Sequence, residues 1–212
     1  MPYPDLDYSR FDVKGLDAVL HRTYHAGSVF AVGDSNNCIT TLIDKCEEEN
    51  VPLYICGLKT GKDNYYSMSS IMDKGVKLAF ENLRKVGNLA VLVDRYENMD
   101  HVGFCYDNGH AHCYTVHIPW LDILGKRLST THLHDNWGLD KEDPRKDADY
   151  HLMPFEGDFD FKDMVDKMDK YNYQGSLMLE LWQKGQWADL SPEEFLKVCY
   201  ERVKRIRDMS EA

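Results

Sequence analysis

Short apolar runs alternate with longer amphipathic stretches from about residue 50 onward, and four successive runs end in a carboxylate or an imidazole; together these predict an α/β fold, a TIM (β/α)8-type barrel. The alternation gives repeated strand–helix units around a parallel sheet, and the polar ends give that sheet one chemically active edge. The chain's 212 residues fall short of the roughly 250 of a complete barrel. The expectation is therefore an incomplete barrel lacking its first two to three strands, built as a single domain over residues 1–212. Residues 1–50 are read as an atypical remnant of the amino-terminal part, and residues 51–212 as the βα units that carry the site.

The elements follow from local pattern. Val51 to Leu58 is the first apolar run, and Asn64 to Lys74 has helical character that stops before Gly75, a good helix terminator. Val76 to Phe80 reads as a buried strand running into Glu81 and Asn82. Leu83 to Asn98 carries Leu89, Leu92, Val93 and Tyr96 on one helical face. Val102 to Tyr106 is the next strand, ending at Asp107, Asn108, Gly109 and His110. After Pro119, Trp120 to Lys126 is a short helix, and the strand Leu128 to Leu133 leads to His134, Asp135 and Asn136. Trp137 to Gly157 is long, charged and irregular, the kind of loop that is usually functional or mobile. Phe159 to Tyr171 returns to helical spacing, Ser176 to Leu181 is an apolar strand containing Glu180, and Ser191 opens a final helix with an N-cap signal. Nearer the start, Ile39 to Glu49 reads as a helix, Leu16 to Arg22 as a weak one, and Ser28 to Val32 as a strand.

Composition narrows the function. Twenty-five basic against thirty-six acidic residues give a formal charge of -11, which repels a phosphate backbone, so nucleic acid is not the expected partner. No apolar stretch approaches the roughly 18 residues of a membrane span, and no basic-then-apolar leader opens the sequence. A cytoplasmic protein is expected. Its six cysteines are widely scattered, as reduced, buried thiols are.

The chemistry resides at the strand ends. Glu81, Asp107 with His110, His132 with His134 and Asp135, and Glu180 each close a run, and parallel barrel strands bring such ends to one mouth. Alone, a strand-end glutamate is more often solvated and an Asp before Asn-Gly a turn former; four in succession argue for a shared site. His132 and His134 flank one leucine and so face the same side. Mixed carboxylate and imidazole donors suit manganese, magnesium, cobalt or zinc. The aromatics Tyr65, Tyr66, Trp120 and Trp182 read as core or rim residues.

The runs Gly75 to Leu83 (GVKLAFENL), Val102 to His110 (VGFCYDNGH), Thr131 to Asn136 (THLHDN) and Leu177 to Leu181 (LMLEL) resemble the xylose isomerase-like TIM-barrel superfamily, specifically its sugar phosphate isomerase/epimerase members. The resemblance implies that Glu81, Asp107, His132 and Glu180 hold one divalent metal, with Glu81 and Glu180 doubling as acid and base across a small polyhydroxylated substrate. His132 matches the family's His-x-x-Asp spacing; His134 stays open as an alternative. His110 would bind substrate oxygens or a further metal. Asp149, His151, Pro154 and Glu156-Gly157 resemble a loop of the related endonuclease IV branch, where such a pair helps hold additional zinc. A second or third metal over His110, His134, Asp149 and His151 is thereby implied.

The expected activity is metal-dependent isomerisation or epimerisation by proton transfer next to a carbonyl. Two alternatives stand beside it: an endonuclease IV-like zinc phosphodiesterase, and a non-catalytic remnant that binds a sugar or partner. An open sheet edge would invite a homo-oligomer that covers it.

Overall fold

The structure is a computed structural model and describes residues 19–22, 29–32, 53–55, 77–84 and 86–211. Two compact units emerge, Met1–Glu81 with Val91–Gly103, and Asn82–Ala90 with Phe104–Ala212.

In the first unit, β1 (Val19–Arg22) pairs antiparallel with β2 (Val29–Val32), which pairs in parallel with β3 (Leu53–Ile55). β4 (Lys77–Glu81) continues the parallel ladder through Tyr54↔Lys77 and Ile55↔Leu78. The helix expected at Leu16 to Arg22 is corrected here. Its described part is strand, because Val19 to Arg22 find a full antiparallel register on Val32 to Val29, and sheet pairing outweighs a weak local helical preference. The helices expected at Ile39 to Glu49 and Asn64 to Lys74, and Tyr65 and Tyr66, lie outside the described residues. Phe80 stacks on Tyr96, with ring centres 6.1 Å apart.

The helix α1 (Val86–Arg95) is shorter than the expected Leu83 to Asn98. β5 (Val102–Asp107) is buried along its whole length, as a strand covered on both faces must be. In the second unit its end pairs in parallel with β6 (Leu128–His132), Tyr106 opposite Thr131 and Asp107 opposite His132. Between them lie α2 (Asn108–Cys113) and α3 (Trp120–Leu124). Phe104, Trp120, Leu121, Leu133, Met164 and Ile206 form the core of this unit. Trp120 is thus a core residue, its indole nitrogen donating to Thr115 Oγ1 at 2.8 Å.

The run Ser176 to Leu181 is not a continuous strand. Pairing is confined to a parallel bridge between Leu179 and Leu133, with Leu133 N donating to Met178 O at 2.8 Å and Glu180 N to Leu133 O at 3.0 Å. That single bridge suffices to bring Glu180 beside the end of β6. α4 (Phe161–Lys170) and α5 (Pro192–Arg207) follow, the latter opened by a reciprocal capping box between Ser191 and Glu194.

Candidate metal centre

Asp107 ends β5 and immediately caps α2, its Oδ1 accepting the His110 amide at 2.7 Å. Asn108, Gly109 and His110 thus form the first turn of that helix. This cap points the His110 ring back over Asp107, with His110 Nδ1 3.4 Å from Oδ2. β6 delivers His132 to the same carboxylate: Nδ1 lies 3.9 Å from Asp107 Oδ2 and 3.0 Å from Glu180 Oε2. One ligand atom from each of Asp107, His132 and Glu180 falls within 4.8 Å of the others.

A second donor group adjoins the first. His134 is fully buried, with Nε2 3.4 Å from Asp107 Oδ1 and Nδ1 3.4 Å from Asp149 Oδ1. His151 presents Nε2 to Asp149 Oδ2 at 3.7 Å, and His134, Asp149 and His151 again gather within 4.8 Å. His110 Nε2 reaches Asp149 Oδ2 at 3.5 Å, so His110 stands between the two groups. A Cβ on Gly109 would fall inside the His134 ring and the Asp149 carboxylate, which is why that position has no side chain.

Electrostatics bind the cluster together. Burial pushes Asp107 up, but His134, His110 and His132 outweigh it and hold the carboxyl well below its usual range. Glu180 is likewise lowered, His132 overcoming the opposing effect of burial. Burial lowers His134, yet Asp107, Asp149 and Glu180 raise it above its ordinary value. Asp149 is raised, chiefly by burial. Anions and imidazoles so packed in a dry pocket stay mutually stabilised only while some imidazoles are protonated, or while a cation takes the protons' place.

The residues fit such a cation. Asp107 Oδ2, Asp149 Oδ1 and both ring nitrogens of His134 are buried and meet their charged neighbours only at 3.4 Å or more, longer than a good hydrogen bond, so a cation among them would be better held than they hold one another. Carboxylate oxygens and imidazole nitrogens are the donor set of zinc, manganese, cobalt or magnesium.

Of the residues singled out from sequence, Asp107, His110, His132, His134, Asp149, His151 and Glu180 converge in the second unit. Glu81 is the half-buried last residue of β4. Asp135, read as ligand-type, is structural: Oδ1 accepts the amides of Asn136 and Phe159 at 2.9 and 3.1 Å, and Oδ2 that of Phe155 at 2.8 Å. Its bond to Phe155 N ties the 137–157 segment to the end of β6. Arg84 ion-pairs with Asp147 at 3.4 Å and Lys184 donates to Tyr150 O at 2.6 Å, adding two more anchors.

Two buried amides escaped the sequence reading. Asn82 Nδ2 donates to Asp107 O at 2.8 Å while its Oδ1 accepts Asp107 N at 2.8 Å, and Asn108 treats His134 in the same manner. An asparagine directly after each strand end is the signal that would have found them.

A family model described as xylose isomerase-like TIM barrel matches residues 67–199. The chain belongs to this family. Its fold is accordingly the xylose isomerase-like TIM barrel. The uncharacterized protein y4fM of Sinorhizobium fredii is 34% identical over 116 residues, 51% of this chain and 34% of that protein. The chain spans a third to a half of the length of the curated relatives it matches. Among solved structures, IOLI protein with a bound zinc atom superposes with a TM-score of 0.64 at 19% identity, covering 84% of this chain and 72% of that one. The apo 3-keto-D-glucoside 4-epimerase YcjR of E. coli gives a TM-score of 0.50 at 12% identity, covering 82% and 85%. No described helix is long and apolar enough to cross a membrane.

Proposed function

We propose that this chain is a divalent-metal-dependent isomerase or epimerase of a small sugar or sugar phosphate. The observation that carries the reading is the convergence of Asp107, His132 and Glu180 on one point. A zinc-bound neighbour and a sugar epimerase of the same fold support it.

Asp107, His132 and Glu180 would hold the ion, joined by Glu81 as the family motif implies. When bound, the ion supplies a Lewis acid that polarises the substrate carbonyl and stabilises negative charge on its oxygen. Glu180, kept ionised by His132, accepts the proton from the carbon beside that carbonyl. Glu81 is assigned the complementary proton transfer. His110 is assigned the binding of substrate oxygens or of a further metal. Solvent exchange tests this directly: incubated with manganese in deuterium oxide, the protein should introduce label beside the carbonyl of at least one ketose in a panel. No label in any ketose from a manganese-loaded protein would refute the assignment.

The donor group His134, Asp149 and His151 is proposed to hold a second cation. It also favours a second reading, a zinc phosphodiesterase of the abasic-site type. The formal charge of -11 opposes that reading. Cleavage of an abasic-site duplex by zinc-loaded protein, with no label exchange into ketoses, would decide for it.

A further inference from the structure

Trp182 stands two residues beyond Glu180 and is 56% exposed, an unusual setting for the largest apolar side chain. It is nevertheless held in place. Its indole stacks on the His151 imidazole, centres 4.5 Å apart and planes 17° apart. The His134 ring stacks on His151 as well, at 4.1 Å and 19°. Two flat rings cannot share one face of an imidazole, so His151 is sandwiched, in a column that runs from fully buried His134 to solvent. Lys184 places Nζ 4.4 Å from the indole centre while donating to Tyr150 O, tying the tryptophan to the segment that bears Asp149 and His151.

His151 requires such support. Its φ of 47° lies in the left-handed region, which a non-glycine residue keeps only where its surroundings dictate it. Nδ1 lies 3.0 Å from Glu180 O, an acceptor alone, so Nδ1 carries the hydrogen and Nε2 is the ring atom that faces Asp149. That hydrogen bond fixes one edge of the ring. Rocking of the ring about that edge is what the indole prevents.

We propose that Trp182 is the positioning residue of the second cation site, clamping the His151 imidazole so that Nε2 shares an ion with Asp149 and His134. This rests on the two-cation reading above. A displaced ring would leave the ion two ligands in place of three. Partners that orient a ligating imidazole are typically worth about 10–100-fold in metal affinity.

The test uses the whole chain and metal alone. Zinc titrated calorimetrically into metal-free protein should fill two sites. In Trp182→Ala the first should bind unchanged and the second about tenfold more weakly; Trp182→Phe, which restores a flat ring, should recover most of the loss. Cobalt, being paramagnetic, should quench indole emission as the second equivalent binds, and that step should shrink in Trp182→Phe although cobalt still binds. Wild-type affinity at both sites in Trp182→Ala would overturn the clamp, as would equal loss at both sites or a phenylalanine variant no better than alanine. A wild type that takes only one equivalent removes the two-cation reading instead, before any variant is made.

Discussion

The carboxamide of Asn108 grips the backbone of His134 at two points, donating to its carbonyl at 2.8 Å and accepting its amide at 2.9 Å. Both partners are fully buried. The residue that opens α2 thus sets the height at which His134 leaves the end of β6. Asn108→Ala should strand two backbone groups at a cost of about 2–6 kcal/mol, taking about 1–3 for each buried group left unsatisfied. Thermal or urea denaturation of the metal-free protein measures it; a change below about 0.5 kcal/mol, the scale of an ordinary surface substitution, would contradict the finding.

The two histidines of β6 and its extension should separate by metal. His132→Ala should release the ion shared with Asp107 and Glu180, whereas His134→Ala should spare it and weaken the group with Asp149 and His151. Atomic absorption after dialysis distinguishes them. Full occupancy in His132→Ala would transfer the first ligand role to His134.

Glu180→Gln keeps shape and removes charge. Turnover should fall by at least about 100-fold, the usual contribution of a positioned acid/base group, while the far-ultraviolet circular dichroism spectrum stays unchanged. Persisting label exchange in this variant would deny Glu180 its role in proton transfer.

Gly109→Ala drives a methyl into His134 and Asp149. Overpacking of this kind costs about 1–3 kcal/mol, and here the atoms that must yield are the donors themselves. Lower stability should therefore come with weaker zinc binding; a variant that binds zinc as the wild type does would show that the pocket can relax.

Acidity should act in opposite senses on metal-free and loaded protein. His134 titrates above its ordinary 6.5 in the folded chain, so its contribution is complete below that value and is lost as pH rises through the folded one. Asp149, raised chiefly by burial, acts in the same sense. Asp107 and Glu180 are lowered; their contribution is complete above the ordinary carboxylate range and disappears only in strong acid. Metal-free protein in a chelator should accordingly lose Tm as pH rises above 6.5, over the interval in which His134 gives up its proton. With saturating zinc the slope should reverse, since the ion needs unprotonated imidazoles. A metal-free Tm that climbs over this interval would contradict the histidine–carboxylate coupling.

Much of this was legible in the residues. β5 is apolar enough to declare itself and β6, though mostly Ser and Thr, lies between Leu128 and Leu133, while the polar residues at their ends name Asp107, His132 and His134. Val19 to Arg22 misled because four residues carry too little periodicity to distinguish strand from helix, and their partner strand supplied the decision. Asp135 misled for a different reason: a carboxylate that caps three backbone amides has the same letter as one that binds metal. Glu180 was found although its strand barely exists, since one parallel bridge does the work expected of a whole strand. Trp182 reads from sequence only as a core or rim residue, because the imidazole it stacks on lies 31 positions away in the chain.

Asp107 offers its two oxygens unequally. Oδ1 is committed to the amide that starts α2, while Oδ2 faces His110 and His132. Oδ2 is thus the oxygen that Asp107 offers most freely to an ion, since Oδ1 already holds the cap of α2. An ion that seeks both oxygens of one carboxylate, as calcium often does, would have to share Oδ1 with the backbone of α2.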